Sequence, residues 1–101
     1  MSKQPEVSFL IPAKNRPDAL RAALGSCLAQ SLEDWEAIVV DDHSDSGDLA
    51  DVVTAFQDDR LRFHRLDDHN RGVSSARNQA IAMAQSDRFI TLDSDDLSHP
   101  H

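Results

Sequence analysis

The chain predicts an α/β fold, a Rossmann-like open parallel sheet of about four strands with three helices. Three observations carry this expectation. Four short apolar segments alternate with three amphipathic ones, each apolar segment runs into a polar cluster, and the segments follow one another in strand-helix order throughout. A β-α-β-α-β-α-β order implies parallel strands joined by right-handed crossovers. At 101 residues, positions 1–101 form a single domain around one core.

The first strand is Val7-Ser8-Phe9-Leu10-Ile11, stopped by Pro12. A polar loop, Ala13-Lys14-Asn15-Arg16, leads to Pro17 and Asp18, a proline at a first helical position beside an acid. Leu20, Ala23, Leu24, Cys27 and Leu28 then share one helical face. Trp35 to Val40 is the second strand and ends in Asp41-Asp42-His43-Ser44. After the turn cluster Ser44 to Asp48, residues Leu49, Val52, Val53 and Phe56 keep the i, i+3, i+4, i+7 spacing of a second helix. Leu61 to Leu66 alternates and carries Arg62, His64 and Arg65, which suits a half-exposed edge strand. Arg71 to Ser75 opens a third helix with Val73, Ala76, Ala80, Ile81 and Ala84 on its apolar face. Arg88 to Leu92 is the fourth strand and runs into Asp93-Ser94-Asp95-Asp96.

Composition excludes several classes. Ten Lys and Arg against 18 Asp and Glu give a net charge of −8, which repels a phosphate backbone, so no nucleic-acid partner is expected. The apolar runs are too short to cross a bilayer, and no signal-peptide pattern opens the chain. Cys27 is the only cysteine, which rules out an intrachain disulfide and fits a cytoplasmic, reducing setting. It lies between Leu24 and Leu28 and reads as core.

In open α/β sheets, ligands bind beyond the carboxyl ends of the strands. Those ends carry Pro12 to Arg16, Asp41 to Ser44, Asp67 to Gly72 and Asp93 to Asp96. Asp93 and Asp95 stand at i and i+2, on one side of an extended segment, where two carboxylates can share a hard cation such as Mg²⁺ or Mn²⁺. Their position after an apolar strand favours this over a solvated acidic turn. Asp41 and Asp42 repeat the arrangement and can accept hydrogen bonds from a base or ribose; an acidic turn before the next helix is an equal reading. Arg71 and Arg77 flank the third helix start and suit a diphosphate or a base carbonyl, against surface charge or pairing with an Asp. Lys14 and Arg16 suit the same role, though solvated loop charge is the plainer reading. His43 beside the acidic pair reads as surface, and His99-Pro100-His101 has no third ligand.

Four segments together resemble family 2 glycosyltransferases of the GT-A fold. They are Val7 to Arg16, Ile38 to Ser44, Asn70 to Asn78, and Phe89 to Leu97, in the family's order and spacing. The resemblance runs from about residue 7 to the end of the chain. It implies the donor-binding portion of a GT-A domain that binds a nucleotide-diphosphate sugar, a UDP-sugar foremost. By the same resemblance Pro12, Ala13 and Asn15 of the first loop and Asp41 or Asp42 contact the nucleotide. Arg77 lies near the base, Asp93 near the ribose or sugar, and Asp95 is the direct metal ligand. Ala13 and Lys14 depart from the hydroxyl and aromatic residues common in that loop. The chain looks like a truncated GT-A domain without the catalytic base, and so inactive alone. An inert folded fragment is the near alternative. A Mg²⁺-binding phospho-receiver is weaker, because the acidic pair follows the second strand and no lysine comes after Lys14. The fourth strand is expected to be an open edge that favours homo-oligomers.

Overall fold

The computed structural model describes residues 5–14, 16–29, 34–42, 48–66 and 72–92. Strands β1 (Val7–Ala13), β2 (Trp35–Asp41), β3 (Leu61–Arg65) and β4 (Phe89–Thr91) alternate with helices α1 (Pro17–Leu28), α2 (Asp48–Ala55) and α3 (Val73–Met83). They form one sheet in the order β3-β2-β1-β4, with every pairing parallel. The predicted fold class is therefore the observed one.

Side chains alternate between the two faces of each strand, and the helices divide accordingly. Val7, Phe9, Ile11, Trp35, Ala37 and Val39 pack with Leu20 and Leu24 of α1 and Leu49, Val52 and Val53 of α2. Leu10, Ile38, Val40 and Leu66 pack on the other face with Ala76 and Ala80 of α3. Both faces of β1 and β2 are covered, so these strands are apolar along most of their length rather than alternating. α1 starts with Pro17 in its first turn and no side-chain cap, and buries Ala19, Leu20, Ala23, Leu24 and Cys27. Cys27 is core as expected, and burial pushes its thiol up to about 11.

Several boundaries differ from the sequence reading. β2 runs one residue further, to Asp41, and α3 begins at Val73 rather than at Arg71. Ile81, expected on the buried face of α3, is exposed, because small Ala76 and Ala80 seat the helix on the sheet instead. β4 is shorter than the Arg88–Leu92 run, and a proline explains where its pairing stops. Ser8 donates its backbone N–H to Arg88 O (2.8 Å), so the alternate positions Leu10 and Pro12 also turn toward β4. Pro12 has no N–H to give. Pairing between β1 and β4 ends at Leu10–Thr91 with one further bond from Leu92 N to Leu10 O, while β1 stays paired with β2 through Ala13–Asp41.

The two edges of the sheet are unlike. β3 carries Arg62, His64 and Arg65 and is half-buried, as the alternating pattern predicts. β4 is exposed throughout, with Phe89 at 45% and Ile90 at 46%.

Candidate functional site

Because all four strands are parallel, their carboxyl ends share one rim, and the strand order decides which ends are neighbours. The chain crosses from the β3 side of the sheet to the β1–β4 side through α3, so the order reverses between β1 and β4. Such a reversal leaves a crevice where ligands bind in open α/β sheets. In this sheet the reversal falls between β1 and β4, whose pairing ends before Pro12.

The adjacent acids at the end of β2 have separate roles. Asp41 pairs in register with Ala13 and Arg65 and so faces the α1–α2 layer. It is 2% exposed, and its Oδ2 accepts from Arg65 NH1 at 3.1 Å. Its carbonyl accepts the N–H of Leu66 (3.0 Å). Asp42 has its N–H on Ala13 O (2.8 Å), and both its carboxylate oxygens accept from Gly72 N at 3.0 Å. Gly72 immediately precedes α3 and has φ +97° and ψ 164°, a conformation essentially restricted to glycine. Asp42 thus ties the second strand end to the start of α3 on the rim, whereas Asp41 supports it from below.

Of the other expected site residues, Pro12 and Ala13 close β1 at this rim. Arg77 lies in the second turn of α3, exposed, with no hydrogen-bond or ion-pair partner among the described residues. The expectation that it simply pairs with a nearby Asp finds no such pair there. Asn15, Arg71, Asp93 and Asp95 lie outside the described residues, as do His43, His99 and His101. Among the described residues, no three His, Cys, Asp or Glu side chains gather into a metal-ligating group.

The opposite, amino-terminal end of the sheet holds a polar network that sequence reasoning missed. Glu36 is buried in β2 and accepts from Ser8 Oγ (2.6 Å), the backbone N of Gln85 (2.6 Å) and Arg62 NH1 (2.8 Å). Arg62 also donates to Met83 O (2.7 Å) at the end of α3. Burial pushes the Glu36 carboxyl up, but the Gln85, Ser8 and Arg62 donors outweigh it, leaving the carboxyl below its ordinary value. A signal was available: Ser8 and Glu36 are each a polar residue at the second position of an otherwise largely apolar strand. An open cavity of about 230 Å³ beside this network is lined in part by Trp35, Glu36, Arg60 and Arg62. Its cations already have partners. Arg60 makes two bonds to Asp58 and lies 4.1 Å over the Trp35 ring, whose edge meets Phe9. This network joins β1, β2, β3 and the end of α3 at the amino-terminal end of the sheet.

A sequence model of the family described as Glycosyl transferase family 2 matches residues 8–101. The succinoglycan biosynthesis protein ExoO of Rhizobium meliloti is 40% identical over 100 residues, covering 99% of this chain and 28% of that protein. The poly(ribitol-phosphate) β-N-acetylglucosaminyltransferase TarP of Staphylococcus aureus is 33% identical over 97 residues, 93% of this chain and 29% of that protein. The chain therefore spans less than a third of the length of either relative. In structure it is similar to S. aureus TarS 1–349 (TM-score 0.77, 26% identity, 89% of this chain and 27% of that one), a fragment also solved with UDP. It shares the fold of the mannosyltransferase PcManGT of Pyrobaculum calidifontis, solved with GDP-Man and Mn²⁺ (TM-score 0.74, 22% identity, 93% and 28% covered).

Proposed function

The chain belongs to glycosyl transferase family 2, and on that premise we propose that it is the donor-binding portion of a glycosyltransferase. Its ligand is a nucleotide-diphosphate sugar, a UDP-sugar foremost, held with Mg²⁺ or Mn²⁺ for transfer to an acceptor hydroxyl. The observation that carries this reading is the anchored rim. Asp42 is fixed between the end of β1 and the start of α3, with exposed Arg77 one turn further along that helix. An acceptor carboxylate at the end of β2 and a donor guanidinium on α3 suit the polar edge of a base.

Asp93 and Asp95 are the residues that would hold the metal. Two carboxylates are the hard oxygen donors that Mg²⁺ and Mn²⁺ take while retaining room for phosphate oxygens. When bound, the cation neutralises charge on the diphosphate leaving group. The chain's own part is to bind and orient the donor. The phospho-receiver alternative loses ground, because the buried acid Asp41 already has a cationic partner in Arg65.

Calorimetric titration with UDP, GDP and CDP, each with and without Mn²⁺, tests the proposal. Metal-dependent binding of at least one nucleotide is expected, and Asp95→Asn should weaken it more than Asp96→Asn. An absence of binding, or equal losses in the two variants, would overturn the donor site or the metal assignment respectively.

A further inference from the structure

We propose that Glu36 and Arg62 are positioning residues for the rim at the opposite end of the sheet: by holding the end of α3, they set where its start meets Asp42. That a nucleotide binds at this rim rests on the donor-binding reading above. Asp42 accepts the N–H of Gly72, just before α3, on both carboxylate oxygens at 3.0 Å. Glu36 accepts the N–H of Gln85, just beyond the helix, at 2.6 Å. Arg62 NH1 bridges Glu36 Oε1 (2.8 Å) and Met83 O (2.7 Å). Both acids stand at even positions along β2 and its end, the face on which Ile38 and Val40 meet α3. The helix is therefore fastened to one strand at both of its ends.

The lengths agree. From Glu36 to Asp42 the extended chain spans about 20 Å, and the 11 residues of α3 span about 16 Å. Gly72 and Gln85, flanking the helix, reach the two acids. Between these points little else fixes the helix along the sheet. Among its described side chains only Ala76 and Ala80 are fully buried, and Ile81 is exposed. Alanines bury little apolar area and present shallow ridges, so their packing resists sliding weakly. The charges also suit the helix ends. Asp42 lies at the start, where anions are favoured, and Arg62 meets a carbonyl of the last turn, where cations are. A rigid helix held at two points carries a displacement at one to the other, and exposed Arg77 rides on the same helix.

Arg62→Gln and Glu36→Ala are compared with Arg62→Lys and with Val53→Ala, a core substitution in the α1–α2 layer away from α3. The first readout is hydrogen exchange of the Gly72 amide by NMR, under conditions where the variants are folded. Exchange should be about tenfold faster in Arg62→Gln and Glu36→Ala. It should stay near the parent rate in Arg62→Lys and Val53→Ala. The second readout is calorimetric titration of UDP and GDP with Mn²⁺, which Arg62→Gln and Glu36→Ala should bind about fivefold more weakly. Should Glu36→Ala fail to fold, Arg62→Gln carries both readouts, since it leaves Glu36 its Ser8 and Gln85 donors. Unchanged Gly72 exchange, the same acceleration in Val53→Ala, or unchanged nucleotide affinity would overturn the role. If Gly72 exchange accelerates but the unsubstituted chain binds no nucleotide, the positioning of α3 stands and the donor-binding reading falls.

Discussion

Adjacent residues of one type have opposite fates here, and strand periodicity decides between them. Asp41 and Asp42 are equivalent in sequence, but odd positions of β2 face α1 and α2 while even ones face α3. Asp41 is consequently a buried acid held by Arg65, and Asp42 is the carboxylate on the rim. At the other end of the sheet, the same even face buries Glu36 among three donors. Removing one partner of a buried, hydrogen-bonded pair leaves the other group uncompensated, so Glu36→Ala should cost about 3 kcal/mol, read as a lower urea midpoint at constant slope. The carboxyl lies below its ordinary value in the folded state, so its contribution is complete at neutral pH. That contribution is lost as pH falls below the ordinary carboxylate range and through the folded value. In Glu36→Gln this part of the acid sensitivity should disappear, as urea titrations at stepped pH would show.

Helices and strands in this chain stop for local chemical reasons that can be changed one residue at a time. α1 carries Gly25 on its exposed side, and a methyl group there would meet nothing within 4 Å. Gly25→Ala should therefore stabilise the chain by about 1 kcal/mol through helix propensity. At Gly72 space is equally open, but the backbone itself excludes a side chain. Gly72→Ala should cost about 2 kcal/mol and loosen the Asp42 contact, so it should weaken nucleotide binding as well as lower the melting temperature. Equal melting temperatures for the parent and the two glycine variants would contradict both assignments. Pro12 shows the same logic in a strand, since its missing N–H separates β4 from β1 and leaves the β1–β2 ladder intact.

At the scale of the whole molecule, the asymmetry of the two sheet edges dominates. β3 is finished with charged side chains, the device by which natural edges avoid unwanted pairing. β4 presents Phe89 on one face, Ile90 on the other, and a row of backbone groups turned away from β1. Repulsion from a charge of −8 is screened beyond roughly 8 Å at physiological salt. Sedimentation at micromolar concentration should therefore show a species larger than a monomer, and Ile90→Lys should shift it toward monomer. A single monomeric boundary for the parent chain would show that the edge is protected. No helix among the described residues is long and apolar enough to cross a membrane.

Sequence alone determined the number, kind and order of the elements. Short apolar runs alternate with segments of helical periodicity, and Pro17 marks a helix start in the chain itself. It also named the polar clusters that follow the strands, and parallel crossovers oblige strand ends to share a rim. What it left open were choices that depend on partners distant in the chain. Strand order places β1 beside β4, and nothing within either segment states that. Which of Asp41 and Asp42 is buried depends on register with Ala13 and Arg65, and the partners of Glu36 come from positions 8, 62 and 85. Local propensity acts over a few residues, whereas hydrogen bonds and ion pairs between strands close only when the sheet assembles. The elements were therefore legible in the sequence, and the strand order and the partners of these acids were decided by the tertiary structure.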